Sequence, residues 1–232
     1  MAQQRLHRTL IIQTAIHFVD HYGLEALTMR RLGAELGVEA MALYRHVAGR
    51  EDLLEAITTH LVDQLLNDSL QDAPSASWED YLRRSAHSTR RLAETHPRLF
   101  PLIATRPSRA PWLRPPLRSV EWVESFLENL KRFGFSDEEA VSAYKAFTSF
   151  LVGALLLQTL PLTLHIQNDE GNAPRTHSEL SFEQFPEVRR LQNLLSEDRA
   201  QTDFHDALDD LIARIRTYRD SFTRLSSDDD GR

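Results

Sequence analysis

Residues 27–54 read LTMRRLGAELGVEAMALYRHVAGREDLL, and within them Ala40, Met41, Ala42, Tyr44, Arg45 and His46 fall on the outward side of one short helical stretch. A guanidinium there can donate two hydrogen bonds to guanine or bind a phosphate, and small apolar side chains beside it can meet a thymine methyl. Such a set reads nucleotide edges if something holds it at the right angle. Leu32 and Leu36 ahead of the stretch, Val38 in the bend and Leu43 within it are apolar positions along which two helices can cross. Gly33 leaves the crossing close, Gly37 supplies a left-handed residue that ends the first helix, and Thr28 is its N-cap. Two helices joined by Leu36-Gly37-Val38, the second over residues 39–47, make a helix-turn-helix, the part of a protein that enters DNA.

The neighbouring elements are set by periodicity. Ile11, Ala15, Phe18, Val19 and Tyr22 share a helical face that Gly23 terminates. A further helix starts near Arg50-Glu51-Asp52 and carries Leu53, Leu54, Ile57, Leu61, Val62 and Leu65 toward Leu66. It links the reader to the rest of the chain. The turn-rich run DAPSAS at 72–77 marks a boundary between an N-terminal domain, 1–72, and a larger one, 73–225, followed by a tail without structure at 226–232. Charge divides the same way. The first 50 residues hold six arginines against four carboxylates, so residues 51–232 carry a formal charge of −9 beneath an overall −7. A locally basic end on an acidic body suits a DNA reader.

The body reads as helical throughout, giving an all-α chain. Ser77 and Asp80 resemble a cap before a stripe of Trp78, Leu82, Ser85, Thr89 and Leu92, and Pro97 closes that helix. A short helix at 98–104 and a proline-rich elbow at 107–116 follow, with Pro116 in a first turn ahead of Val120, Val123, Leu127 and Leu130. Ser136-Asp137-Glu138-Glu139 is a capping box that launches a long apolar helix through Phe147, Phe150, Leu151 and Leu155. Residues 165–181 read as a mobile loop, and a last helix carries Phe204, Leu208, Leu211, Ile212, Ile215 and Tyr218. Cysteine is absent, which removes disulfides, thiolate nucleophiles and cysteine zinc sites. The N-terminus lacks a signal-peptide pattern and polar residues interrupt the apolar run at 146–164, so a cytoplasmic protein with no membrane span is expected.

Ile12, Ala15, Gly23, Leu27-Thr28, Leu32, Leu36-Gly37-Val38, Leu43-Tyr44, His46-Val47 and Leu53-Leu54 together resemble the TetR family of transcriptional regulators over residues 6–66. SWEDYLRRSAHSTRRL at 77–92, TRP at 105–107 and GFSDEEAVSAY at 134–144 are similar to the tetracycline-repressor subgroup. The resemblance implies a helical homodimer that binds a palindromic operator in double-stranded DNA, most often as a repressor, and that a small-molecule effector releases. It assigns Thr28, Met29, Arg30 and the outward residues of the second helix to the DNA site, with Tyr44, His46 and Arg50 on phosphates. Where the subgroup has Gln, Pro, Thr and Trp on its reading helix, this chain has Ala40, Met41, Ala42 and Arg45, which implies a different operator.

The effector site departs too. Positions that hold tetracycline in the subgroup fall on Ser85 and Thr89, and a magnesium-binding histidine falls near Ile103, so neither magnesium nor any other cofactor is expected. The remaining candidates are Leu99, Phe100, Ile103, Trp112, Trp122, Phe126, Tyr144 and Phe147, with His96 and Ser85 as polar markers. As a group they favour an apolar or aromatic ligand, although each aromatic taken alone reads first as core packing. Residues 146–160 are apolar around more than one face, with Gly153 and Ala154 allowing close approach, and together with the last helix they suit a four-helix dimer interface. His17 and His21, four residues apart, read as a solvated face rather than a metal pair. No motif for metal, nucleophile or phosphate chemistry recommends an enzyme. Two other classes stay open: a helical small-molecule carrier or enzyme without DNA contact, and an architectural protein indifferent to sequence.

Overall fold

The computed structural model describes residues 5–71, 75–105, 119–167, 184–197 and 199–229, with backbone only at 67–71, 161–167 and 221–229. Every extended regular element among the described residues is helical. Helices α1 (Arg8–Tyr22), α2 (Met29–Glu35), α3 (Ala40–Leu43) and the first half of α4 (Arg50–Gln71) form a head. Helices α5 (Trp78–Thr95), α6 (Phe100–Thr105), α7 (Val120–Arg132), α8 (Asp137–Gln167), α9 (Pro186–Ser196) and α10 (Ala200–Asp229) form the body.

The head closes around Ile11, Ala15, Phe18 and Val19 of α1, Leu27, Leu32, Leu43 and Val47, with Leu53, Leu54 and Ile57 of α4 beneath. Each such leucine or phenylalanine contributes roughly 1.5–3 kcal/mol by leaving water. Local chemistry sets the ends. Thr28 Oγ1 accepts from the Arg31 amide at 3.2 Å and so caps α2. Gly37 turns the chain at φ +67°, and the Val38 amide returns to the Gly33 carbonyl at 2.9 Å. A Cβ on Gly33 would lie 2.8 Å from the Val38 carbonyl oxygen and 3.2 Å from the Ala40 nitrogen. The crossing of α2 and α3 therefore exists at this distance only because position 33 has no side chain.

The body is built around α8, which packs against α5, α6, α7 and α10. Its start is a reciprocal cap in which the Ser136 amide donates to Glu139 Oε2 at 2.8 Å and the Glu139 amide to Ser136 Oγ at 3.3 Å. Ser77 caps α5 by accepting from the Asp80 amide, and Asp80 in turn accepts from the Ala76 amide. By length and composition α8 could cross a membrane over Asp137–Leu160. Phe147, Leu151 and Leu155 are instead buried against neighbouring helices.

Several boundaries differ from the sequence reading. The reading helix is regular only over Ala40–Leu43, and turns continue it as the His46 and Val47 amides bond to the Leu43 carbonyl. Ser119, by accepting from the Trp122 amide, starts α7 at Val120, whose side chain is 47% exposed; the inward face is Trp122, Val123, Phe126 and Leu130. Pro116 lies outside the described residues. Helix α8 continues to Gln167, into the expected loop, and α9 is a separate helix with none of its residues buried. Helix α10 extends to Asp229, so 226–229 are helical where a structureless tail was expected, and 230–232 lie outside the described residues.

Gly33→Ala is expected to destabilise the head by about 1–3 kcal/mol, the range for overpacking a close contact. Denaturant unfolding followed by circular dichroism measures this, and an unchanged midpoint would show that the turn can yield.

Candidate nucleic-acid interface and aromatic chamber

The tip of the head is Met41, 74% exposed, flanked by half-buried Ala40 and Ala42 and by exposed Tyr44 and Arg45. Arg30 and Thr28 are exposed at the start of α2. Arg30 and Arg45 make no hydrogen bond or ion pair with any described residue, so both guanidiniums remain available to bases or phosphates. Tyr44 is 46% exposed, and His46 is half-buried beside it.

Two of the expected DNA-binding residues do other work. Met29 is 8% exposed and belongs to the core, because the first position after the Thr28 cap faces inward. Arg50 Nε donates to the Leu27 carbonyl at 3.1 Å and its Nη2 to the Leu24 carbonyl at 3.2 Å, which ties the start of α4 to the loop ahead of α2. Its remaining nitrogen, Nη1, lies 3.8 Å from Glu51 Oε1 at the surface.

The support of the tip was not read from sequence. Arg8 Nη1 donates to the His46 carbonyl at 2.7 Å, and the same guanidinium bonds both carboxylate oxygens of Asp52 at 3.3 Å. Asp52 also accepts from the Ala48 amide at 2.8 Å. One arginine thus fixes α1, the turn after the reading helix and α4 together. Arg31 lies over the rings of Phe18 and Tyr22 and donates to the Ala26 carbonyl, so it too serves the scaffold. The bonds of Arg8 and Arg50 span 23 to 44 residues, which helical periodicity cannot signal.

In the body the expected ligand residues come together. Leu99, Phe100, Ile103, Phe126 and Phe147 are fully buried, Trp122 and Tyr144 nearly so. Phe126 is the hub: its ring centroid lies 5.2 Å from Trp122, 5.8 Å from Tyr144, 5.3 Å from Phe147 and 5.6 Å from Tyr81. Trp112 lies outside the described residues. Thr89 is 2% exposed, with its hydroxyl spent on the Ser85 carbonyl at 2.8 Å. Ser85 and Asn129 hydrogen-bond the Tyr81 phenol, which burial nonetheless pushes up to about 12. Tyr81 was missed, although it stands one turn ahead of Ser85 on the same helix. Burial also raises the Tyr144 phenol, whose oxygen is enclosed and has no hydrogen-bond partner.

His96 does not join this cluster as a polar marker. Its Nδ1 meets Asp20 Oδ2 at 2.7 Å, across the boundary between body and head.

An exposed tip with uncommitted arginines, braced on a helical scaffold and joined to an enclosed aromatic interior, defines a DNA-binding regulator with its own sensory body. The chain matches "Bacterial regulatory proteins, tetR family" over residues 11–57 and "Tetracyclin repressor-like, C-terminal domain" over residues 71–218. It belongs to the TetR family of ligand-responsive transcriptional repressors, and is not an enzyme. It is 29% identical to the HTH-type transcriptional repressor DrrR1 of Streptomyces coeruleorubidus, over 89% of this chain and 78% of that one. It is likewise 29% identical to the class D tetracycline repressor protein of Escherichia coli, over 90% and 88% of the two chains. ActR of Streptomyces coelicolor, solved in complex with actinorhodin, shares the fold at a TM-score of 0.65 and 23% identity, over 93% and 96% of the chains.

Arg45→Ala is expected to weaken specific DNA binding by about 1–3 kcal/mol while leaving random duplex nearly unaffected, the signature of a guanine contact. Fluorescence anisotropy with both duplexes decides this. Equal losses on the two would make Arg45 a phosphate contact.

Proposed function

We propose that two copies of this chain pair through α8 and α10 and set their tips into successive major grooves of a palindromic operator. A largely apolar, aromatic effector in the body of each copy then releases the DNA. The observation that carries the effector reading is the Tyr144 hydroxyl, buried on a ring packed beside Trp122 and Phe126 and without a hydrogen-bond partner among the described residues. A buried hydroxyl without a partner costs about 1–3 kcal/mol, which a ligand oxygen or nitrogen at that point would recover. The effector class is therefore a ring system with one hydrogen-bonding group at its inner edge. Actinorhodin bound to ActR is consistent with an aromatic ligand on this fold.

Pairing is supported by what α8 leaves uncovered. Leu157 is 74% exposed, Leu160 is 40% exposed, and Gly153 has open space where a Cβ would stand. A groove of about 810 Å³ runs between α8 and α10, lined by Phe150 and Leu211 with Lys145, Asp210 and Arg214 at its margins. A mixed lining, with Ser142 and Ser149 beside Phe150 and Leu211 and both charge signs at its edges, suits a self-complementary contact. Two heads then address half-sites about 34–36 Å apart. A protein acting on genomic DNA in this way would work in the cytoplasm.

Selecting bound fragments from the host genome with purified protein tests the reading. An inverted repeat is expected, and oxygenated aromatic compounds are expected to dissociate the complex, with Tyr144→Phe weakening the response to them. Fragments without an inverted repeat, or release only by small, highly charged solutes, would overturn it. Leu157→Asp is expected to sediment as a folded monomer and to lose operator binding by more than about tenfold, since one half-site then acts alone. A variant that remains dimeric would place the interface elsewhere.

A further inference from the structure

We infer that Asp20 and His96 form a latch that holds the reading head in register with the sensory body, and that movement of the aromatic chamber opens it. The inference rests on the effector reading above and adds the route by which the chamber reaches the head. His96 ends α5, and its carbonyl accepts from the Leu99 and Phe100 amides at 3.0 and 2.9 Å, so it also begins α6. Leu99 and Phe100 are wholly buried, and α6 packs against α8, the helix that carries Tyr144 and Phe147 of the chamber. The ring of the same residue reaches out of the body, where Nδ1 donates to Asp20 Oδ2 at 2.7 Å on the last turn of α1. Arg98 Nη1 adds a bond to the Asp20 carbonyl at 2.8 Å. One residue therefore joins the start of α6 by its backbone and the head by its side chain.

The state of Asp20 makes this junction two-valued. Its other oxygen, Oδ1, is buried without a hydrogen-bond partner, and the two side chains are only 20% and 18% exposed. A carboxylate so poorly hydrated is held there by its bond to His96, a charge-assisted contact of short length. Displacing Phe100 and the start of α6 draws the imidazole away. The carboxylate then gains water and α1 loses its hold on the body, so the contact is made or broken with no stable halfway position. Arg8, Arg50 and Arg31 keep the head rigid within itself, so what the latch controls is the orientation of the head as a whole.

Hydrogen exchange and DNA binding on the full chain test this. Asp20→Ala is expected to speed amide exchange in α6, on the far side of the boundary, and His96→Ala to speed it at the end of α1. Both variants are expected to lose about fivefold or more in affinity for the genome-selected fragment at a temperature where each is fully folded. The double variant is expected to lose no more than either single one, because the two residues act as one contact. Asp20→Asn, which keeps an acceptor in place, is expected to fall between wild type and Asp20→Ala. A strut that served stability alone would lower the melting temperature with operator affinity unchanged, and that result overturns the inference, as do additive losses or exchange confined to the mutated side. If no fragment is preferred at all, the functional reading fails, and reciprocal exchange alone then decides the latch.

Discussion

The reading of DNA by this chain depends on how near two backbones come at Gly33. The Val38 carbonyl and the Ala40 nitrogen occupy the space that a side chain at that position would need. This proximity fixes the angle between α2 and α3 and so fixes where Met41 and Arg45 point. The other head contacts preserve that angle. Leu32 and Leu43 bury the crossing, Arg8 holds the following turn to α1 and α4, and Arg50 bonds the loop ahead of α2. The arginines divide in two: Arg8, Arg31 and Arg50 donate to backbone carbonyls of the head, whereas Arg30 and Arg45 bond no described residue.

The body follows a different logic, in which α8 presents apolar surface in two directions. One side closes the aromatic cluster around Phe126, and the other leaves Leu157, Leu160 and Gly153 uncovered. In the proposed assembly a single helix would therefore both border the effector and set the spacing of two heads. Among the described residues two buried side-chain oxygens lack partners, Tyr144 Oη in the chamber and Asp20 Oδ1 at the domain boundary. Native interiors satisfy nearly all such groups, so each exception calls for a physical reason.

Much of the fold was legible because it is local. Thr28, Gly37, Ser77 and the Ser136–Glu139 box act within four residues of themselves, and a helical stripe suffices to gather Leu99, Phe126 and Phe147. The capping of α7 by Ser119 shifted the inward face from Val120 to Trp122, a difference of half a turn that periodicity alone does not resolve. The candidate site was legible where side chains face water. Met41, Tyr44 and Arg45 are exposed as spacing implied, whereas Met29 and Arg50 turned inward. His96 shows the limit most plainly, because its partner lies 76 residues earlier in the chain. Only a folded chain could show that a histidine beside the chamber belongs to the domain boundary instead.

The separation of reader from scaffold also bears on how such a protein changes over generations. Ala40, Met41, Ala42 and Arg45 donate no side-chain bond to the framework that carries them, and the framework's own ties come from α1, α2 and α4. Substitutions at the four tip positions can therefore accumulate with little effect on folding. Duplicated copies could diverge in target preference while inheriting an intact sensor, so a lineage could acquire new promoters faster than it acquires new ligands.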